Sequence, residues 1–163
     1  MFTTQDYSDL SRSEFYALLI QQVRAMLRDE NDLIANMSNL ASLLFAALNE
    51  VNWVGFYRLL TPEELVLGPF LGNPACTRLK VGKGVCGTSV VLRRSLIVPN
   101  VHKFKGHVAC DNASNSEIVI PIFKGSKIIG VLDIDSPRFN RFDENDREVL
   151  EEIVRLLVEF SHC

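Results

Sequence analysis

Glu117-Ile-Val-Ile-Pro-Ile-Phe123 and Lys127-Ile-Ile-Gly-Val-Leu-Asp-Ile-Asp135, joined through Lys124-Gly125-Ser126, decide the fold. Both runs are dense in β-branched residues, and Gly-Ser between them is a two-residue hairpin signal, so residues 117–123 and 127–135 are predicted to pair antiparallel. The same texture recurs upstream, where residues 51–60 and 64–68 flank Thr61-Pro62 and read as a second hairpin. Residues 78–81 and 95–98 supply two short strands. Between them Gly82-Lys-Gly84 breaks the chain, and residues 85–93 have the length and pattern of a short helix.

Helices flank these strands. Ser11-Arg-Ser-Glu14 fits a capping box, and Phe15, Leu18, Leu19, Val23, Met26 and Leu27 follow at helical spacing, predicting a helix over residues 13–29. A second helix begins near Asn31-Asp32, buries Leu33, Met37, Leu40, Leu44 and Leu48, and has Asn49 as its stop. Asp143-Glu-Asn-Asp146 opens a last helix that buries Val149, Leu150, Ile153, Val154, Leu157 and Val158. Hairpins in place of repeated strand-helix-strand crossovers make this an α+β chain with a mostly antiparallel sheet flanked by helices. Residues 100–116 are polar and too long for an idle connection, which marks them as a functional loop.

The chain has 163 residues, 47% apolar and 23% charged, which suits one domain over residues 1–163 with a real core. Seventeen Lys and Arg against twenty Asp and Glu give a net charge of −3, and no basic block exceeds Arg93-Arg94. Nothing here draws the chain to phosphate backbones, so neither nucleic acid nor a membrane surface is an expected partner. The N-terminus is polar and acidic, and no apolar run approaches the length of a membrane span, so a cytoplasmic location is expected. Four cysteines without a Cys-x-x-Cys pair argue against a zinc ribbon or thioredoxin motif; in a reducing compartment they are fillers, ligands or redox groups.

Asp133 and Asp135 interrupt an apolar strand, and a period of two puts both carboxylates on one face with Val131, opposite Leu132 and Ile134. Enclosed together they repel, which raises at least one carboxyl pKa and makes the pair a proton donor or a receptor for a cation; on a solvated face they would do neither. A regular two-residue turn sets Glu117 opposite Ile134, on the wrong side for both. Only a bulge, for which Pro121 offers a cause, or an odd loop length brings the three acids together. Cys86 stands at the start of the short helix, where free N–H groups would stabilise a thiolate, unless it is a buried filler. Cys110 lies in the long polar loop, where packing has less use for it, with His107 and His102 nearby as candidate base or ligands. Trp53 and Tyr57 share a strand face and can wall an apolar pocket.

Trp53-Val-Gly-Phe-Tyr57, Leu67-Gly-Pro-Phe70, Val81-Gly-Lys-Gly-Val-Cys-Gly87, His107-Val-Ala-Cys-Asp-Asn-Ala-Ser-Asn-Ser-Glu-Ile118 and Gly130-Val-Leu-Asp-Ile-Asp-Ser136 closely resemble the free methionine-(R)-sulfoxide reductases, a branch of the GAF family. The resemblance spans residues 15–160 and rests on two cysteine motifs together with Asp-Ile-Asp. It implies a GAF-like sheet enclosing a small pocket. It implies Cys110 as nucleophile, with Cys76 or Cys86 attacking its oxidised form and the roles of Cys110 and Cys86 open to exchange. Glu117, Asp133, Asp135, Trp53 and Tyr57 would line the pocket, and Cys163 lies outside the pattern. The family is often dimeric, which leaves a homodimer open.

The implied substrate is free methionine sulfoxide and the implied reductant thioredoxin, with no metal or organic cofactor required. A sulfoxide sulfur is a poor electrophile until its oxygen is protonated, so such a reductase needs a thiolate and a carboxylic acid kept protonated. The rival reading is a GAF-type sensor that binds a small ligand without catalysis. A Cys/His metal site has no supporting ligand spacing.

Overall fold

The computed structural model describes Tyr7 and residues 9–108 and 112–162. The elements are α1 (Arg12–Leu27), α2 (Leu33–Ala47), β1 (Trp53–Thr61), β2 (Glu64–Gly72), β3 (Arg78–Lys80), α3 (Gly84–Leu92), β4 (Leu96–Val98), a 3-10 turn (Val101–Lys103), β5 (Ser116–Lys124), β6 (Lys127–Ser136) and α4 (Glu144–Phe160). They match the order read from sequence, with ends shifted by a residue or two. β2 is the exception: it runs past the expected stop at Gly68 to Gly72. Pro69 is tolerated because it falls in an irregularity of the β1–β2 ladder, between the Tyr57–Leu67 and Gly55–Phe70 pairs.

Six strands form one antiparallel sheet in the order β3-β2-β1-β6-β5-β4. One face carries Val54, Phe56, Ile118, Ile120, Leu132 and Ile134 into a core shared with α1, α2 and α4. The other carries Trp53, Tyr57, Val119 and Val131 against α3, with Val85, Cys86 and Val90 opposite. With both faces buried, a one-residue slip would exchange the two sets, so the register is pinned by packing.

Capping fixes the helix starts. Ser11 accepts from the Glu14 N–H while Glu14 reaches back, and Asp143 and Asp146 repeat the arrangement at α4. Asp146 is buried, where it accepts from Tyr16, Arg12 and Arg141 and so ties α4 to α1.

The β5–β6 hairpin contains the irregularity on which the site depends. Lys124 pairs with Lys127 and Phe123 with Ile128, but Ile122 pairs with Gly130, so Ile129 is an extra residue on β6. From there the ladder sets Glu117 opposite Asp135 and Val119 opposite Asp133. The cause differs from the one expected. Pro121 pairs with Val131, beyond the bulge, whereas Gly130 stands at it, and an added Cβ there would lie 2.4 Å from the Tyr57 carbonyl oxygen. Close approach of β1 at Gly130, and not the missing N–H of Pro121, marks the point where the register changes.

Candidate active site

β1, β6 and β5 lie side by side, so their inward residues form rows across the sheet. Trp53, Asp135 and Glu117 make one row; Gly55, Asp133 and Val119 make the next. Gly55 contributes no side chain, and the Trp53 ring occupies that space: a Cβ at Gly55 would come within 2.4 Å of Trp53 Cη2 and of Phe70 Cβ. Trp53 stacks on Phe70 at 5.4 Å and on Tyr57 at 5.9 Å between ring centroids. Its indole N–H donates to the Asn73 carbonyl, and the Tyr57 hydroxyl donates to the Cys76 carbonyl. These two bonds fasten the segment after β2 to the aromatic wall.

α3 closes the opposite side. Cys86, its third residue, is buried and donates its Sγ proton to Asp133 Oδ2 at 3.2 Å. Together the aromatic wall, the three acids and the start of α3 enclose a cavity of about 40 Å³. That is space for about three waters.

The electrostatics follow from enclosure. Burial, and next the charges of Asp133 and Asp135, raise the Glu117 pKa well above the ordinary carboxyl range. Burial also raises Asp133, against the opposing effect of its bonds from Cys86 and Glu117. The two acids are coupled, and together they retain a proton where isolated carboxylates would not. The Tyr57 hydroxyl is driven up in the same way, by burial first and Asp133 second. Burial followed by the neighbouring Asp133 and Glu117 pushes the Cys86 thiol far above its ordinary value. Its place at a helix start left a thiolate or a buried filler open; burial and the neighbouring acids oppose the N-terminal N–H groups and favour the protonated thiol.

His107 lies at the edge of the cavity with Nδ1 3.9 Å from Glu117 Oε2, and burial lowers its pKa, keeping it neutral. His102 does not join it. His102 Nε2 bonds Asn115 Oδ1 at 2.8 Å and its ring meets Phe139, away from the cavity. Cys76 is disulfide-bonded and Cys86 is a free thiol. Cys110 and Cys163 lie outside the described residues. Sequence reasoning passed over Lys83 and Ser114, which also line the cavity. Lys83 is the N-cap residue of α3 and an exposed cation beside the mouth; its place before Gly84 was a usable signal. Ser114 is buried and its hydroxyl accepts from Asn52, which no local pattern announces.

Among the described residues no helix is long and apolar enough to cross a membrane. Residues 35–159 match the family model described as GAF domain. The chain is 47% identical over 148 residues to the free methionine-R-sulfoxide reductase of Escherichia coli, covering 91% of this chain and 89% of that protein. It is similar in structure to the fRMsr of Staphylococcus aureus in complex with substrate, with a TM-score of 0.84, 54% identity, and 88% and 94% of the two chains covered. It is also similar to the free methionine-R-sulfoxide reductase of Neisseria meningitidis in complex with its substrate, with a TM-score of 0.92, 38% identity, and 98% and 95% covered. A GAF sheet, a cavity built on the Asp-Ile-Asp strand and these likenesses agree: the chain belongs to the GAF domain family, on the branch that holds the free methionine-R-sulfoxide reductases.

Proposed function

We propose that this chain reduces free methionine (R)-sulfoxide to methionine, acting as a thiol-dependent oxidoreductase within a single domain. The observation that carries the reading is the group of Glu117, Asp133 and Asp135 around one cavity walled by Trp53 and Tyr57. The two needs of the reaction have different sources. Glu117, coupled to Asp133, is the acid that protonates the sulfoxide oxygen; burial keeps its proton in place near neutrality. The Cys110 thiolate attacks the sulfoxide sulfur. That attack joins the two sulfurs; as this bond and the S–O bond break the oxygen passes to Cys110, methionine leaves with its sulfur reduced, and Cys110 carries the oxygen as a sulfenic acid. A second cysteine thiol then condenses with it, releasing water and leaving a disulfide that thioredoxin reduces.

Cys76 suits the resolving role because it already takes part in a disulfide. Cys86 suits a different one. As a protonated donor to Asp133 it positions the acid pair. The Trp53 and Tyr57 rings bracket the S-methyl group, and the carboxylate nearest the mouth, Asp135, receives the substrate ammonium. Lys83 and the N–H groups opening α3 receive its carboxylate. Methionine sulfoxide is larger than the cavity, so binding moves the Lys83–Val85 and His107–Val108 rims apart. Dependence on thioredoxin fits a cytoplasmic protein, and the family's habit fits a homodimer.

Purified protein with thioredoxin, its reductase and NADPH tests this directly. NADPH is expected to be consumed with free methionine (R)-sulfoxide and hardly at all with the same residue inside a peptide. A peptide amide leaves the buried acids and the cationic rim unpaired, at about 1–3 kcal/mol or more. Equal kcat/KM on free and peptide substrates, or no turnover while the ligand still binds, refutes the reading; the second outcome is that of a sensor.

A further inference from the structure

The cavity gathers a thiol and two carboxyls, with an imidazole at its edge. One ligand atom from each of Cys86, Glu117 and Asp133 lies within 4.8 Å of the others. These residues are 3%, 5% and 7% exposed, so the donors are held by packing and not by solvent. Two atoms here lack the partners that burial normally demands. Beyond the proton that the two acids hold between them, Asp133 Oδ1 meets no donor, and His107 Nδ1, 3.9 Å from Glu117 Oε2, is unbonded. Among the described residues no Lys or Arg pairs with Glu117 or Asp133.

We propose that this cluster is a binding site for a zinc-class divalent ion, held by Cys86 Sγ and carboxylate oxygens of Asp133 and Glu117, with His107 turning in from the cavity edge as a fourth donor. The donor set selects the ion. Thiolate with imidazole and carboxylate suits zinc and its cobalt surrogate, whereas magnesium and calcium want oxygen donors in greater number. Zinc bonds of about 2.0–2.3 Å hold neighbouring donors roughly 3–4 Å apart, so the thiol and carboxylate donors, now within 4.8 Å of one another, close with a shift of about 1 Å, and His107 swings in further. Binding is an exchange of protons for metal. Cys86 loses its thiol proton to solvent and the acid pair loses the one it retains, as sulfur and oxygen bonds to the ion form. The unbonded His107 Nδ1 gains a partner in the same step.

The ion would occupy the space where the proposed reaction needs Glu117 protonated, so zinc is expected to inhibit by exclusion and a chelator to restore activity. The metal site itself does not depend on the sulfoxide reading, because it is tested by spectroscopy. Full-length protein with the Cys76 disulfide intact is titrated with Co²⁺, whose thiolate charge-transfer band reports sulfur ligation, and then with Zn²⁺ as competitor. One equivalent of Co²⁺ is expected to give the band and Zn²⁺ to remove it. Cys86→Ser is expected to abolish the band, and Asp133→Asn or His107→Ala to weaken binding by about tenfold or more. A protein retaining Cys86 as its one cysteine (Cys76→Ser, Cys110→Ser, Cys163→Ser) keeps the band if the assignment holds. A band that survives Cys86→Ser, no band at millimolar cobalt in either parent, or unchanged affinity in both Asp133→Asn and His107→Ala overturns the site.

Discussion

Glu117→Gln separates two effects of burying an acid, and they run in opposite directions. Glu117 is 5% exposed, stands opposite Asp135 in the ladder and is coupled to Asp133. The amide keeps its shape and a donor for Asp133 but has no acidic proton to give. If Glu117 protonates the departing oxygen, single-turnover release of methionine falls by about 10²–10⁴, the range of general acid catalysis. At 1.36 kcal/mol per tenfold, that is about 2.7–5.4 kcal/mol of barrier. Reduction of the resulting disulfide by thioredoxin is unaffected. Stability moves the other way. The folded chain raises the Glu117 pKa, so folding favours the protonated acid; that contribution is complete below the unfolded pKa and is lost as pH rises through the folded one. Glutamine stays neutral throughout, so the variant is expected to melt above wild type at about pH 8 and level with it at about pH 4. Rapid-quench kinetics and thermal melts at the two pH values read both effects. Wild-type single-turnover rates refute the acid role, and a lower melting temperature at the higher pH refutes the account of its burial.

Further outcomes follow from the proposed mechanism and from the packing and capping of the described residues. Cys110→Ser is expected to abolish turnover and Cys163→Ser to leave it near wild type, and mass spectrometry after one equivalent of substrate is expected to find Cys110 joined to Cys76; methionine formation with Cys110 still a free thiol contradicts the assignment. Gly55→Ala places a Cβ 2.4 Å from Trp53 Cη2 and from Phe70 Cβ, so urea unfolding should show a loss of about 1–3 kcal/mol, and the fluorescence of Trp53, the single tryptophan, should shift as its ring leaves the stack. Asp143→Ala removes the N-cap acceptor of α4 and should cost about 1 kcal/mol by the same measurement. Asp143→Asn keeps the cap but not the charge; Arg12 lowers the Asp143 pKa to about 2, so the small stabilisation by this half-exposed pair is present above the ordinary aspartate value and vanishes as pH falls through about 2, where variant and wild type should converge.

The parts legible in the sequence are those that neighbours along the chain decide. A period of two assigned Trp53 with Tyr57 and Asp133 with Asp135 to shared faces, and the strands keep those pairs together because alternation is a property of the extended backbone itself. Ser11 with Glu14 and Asp143 with Asp146 announced two helix starts, since a capping box closes within four residues. Turn residues and β-branched runs then gave the two antiparallel hairpins. What needed tertiary structure is whatever depends on surfaces meeting at long range. The bulge at Ile129 falls beside Gly130, where β1 comes too close for any Cβ, a contact the hairpin read alone does not reveal, and that one-residue change is what turns Glu117 toward the aspartates. Cys86 reaches Asp133 across 47 residues of chain, and its burial with the acids gathered there is what pushes its pKa up. His107, Lys83 and Ser114 come to the cavity from loops and a helix cap, where no periodicity dictates direction. Local pattern sets which way a side chain points within its own element; packing of one element on another sets what it meets and, through desolvation, which proton it holds.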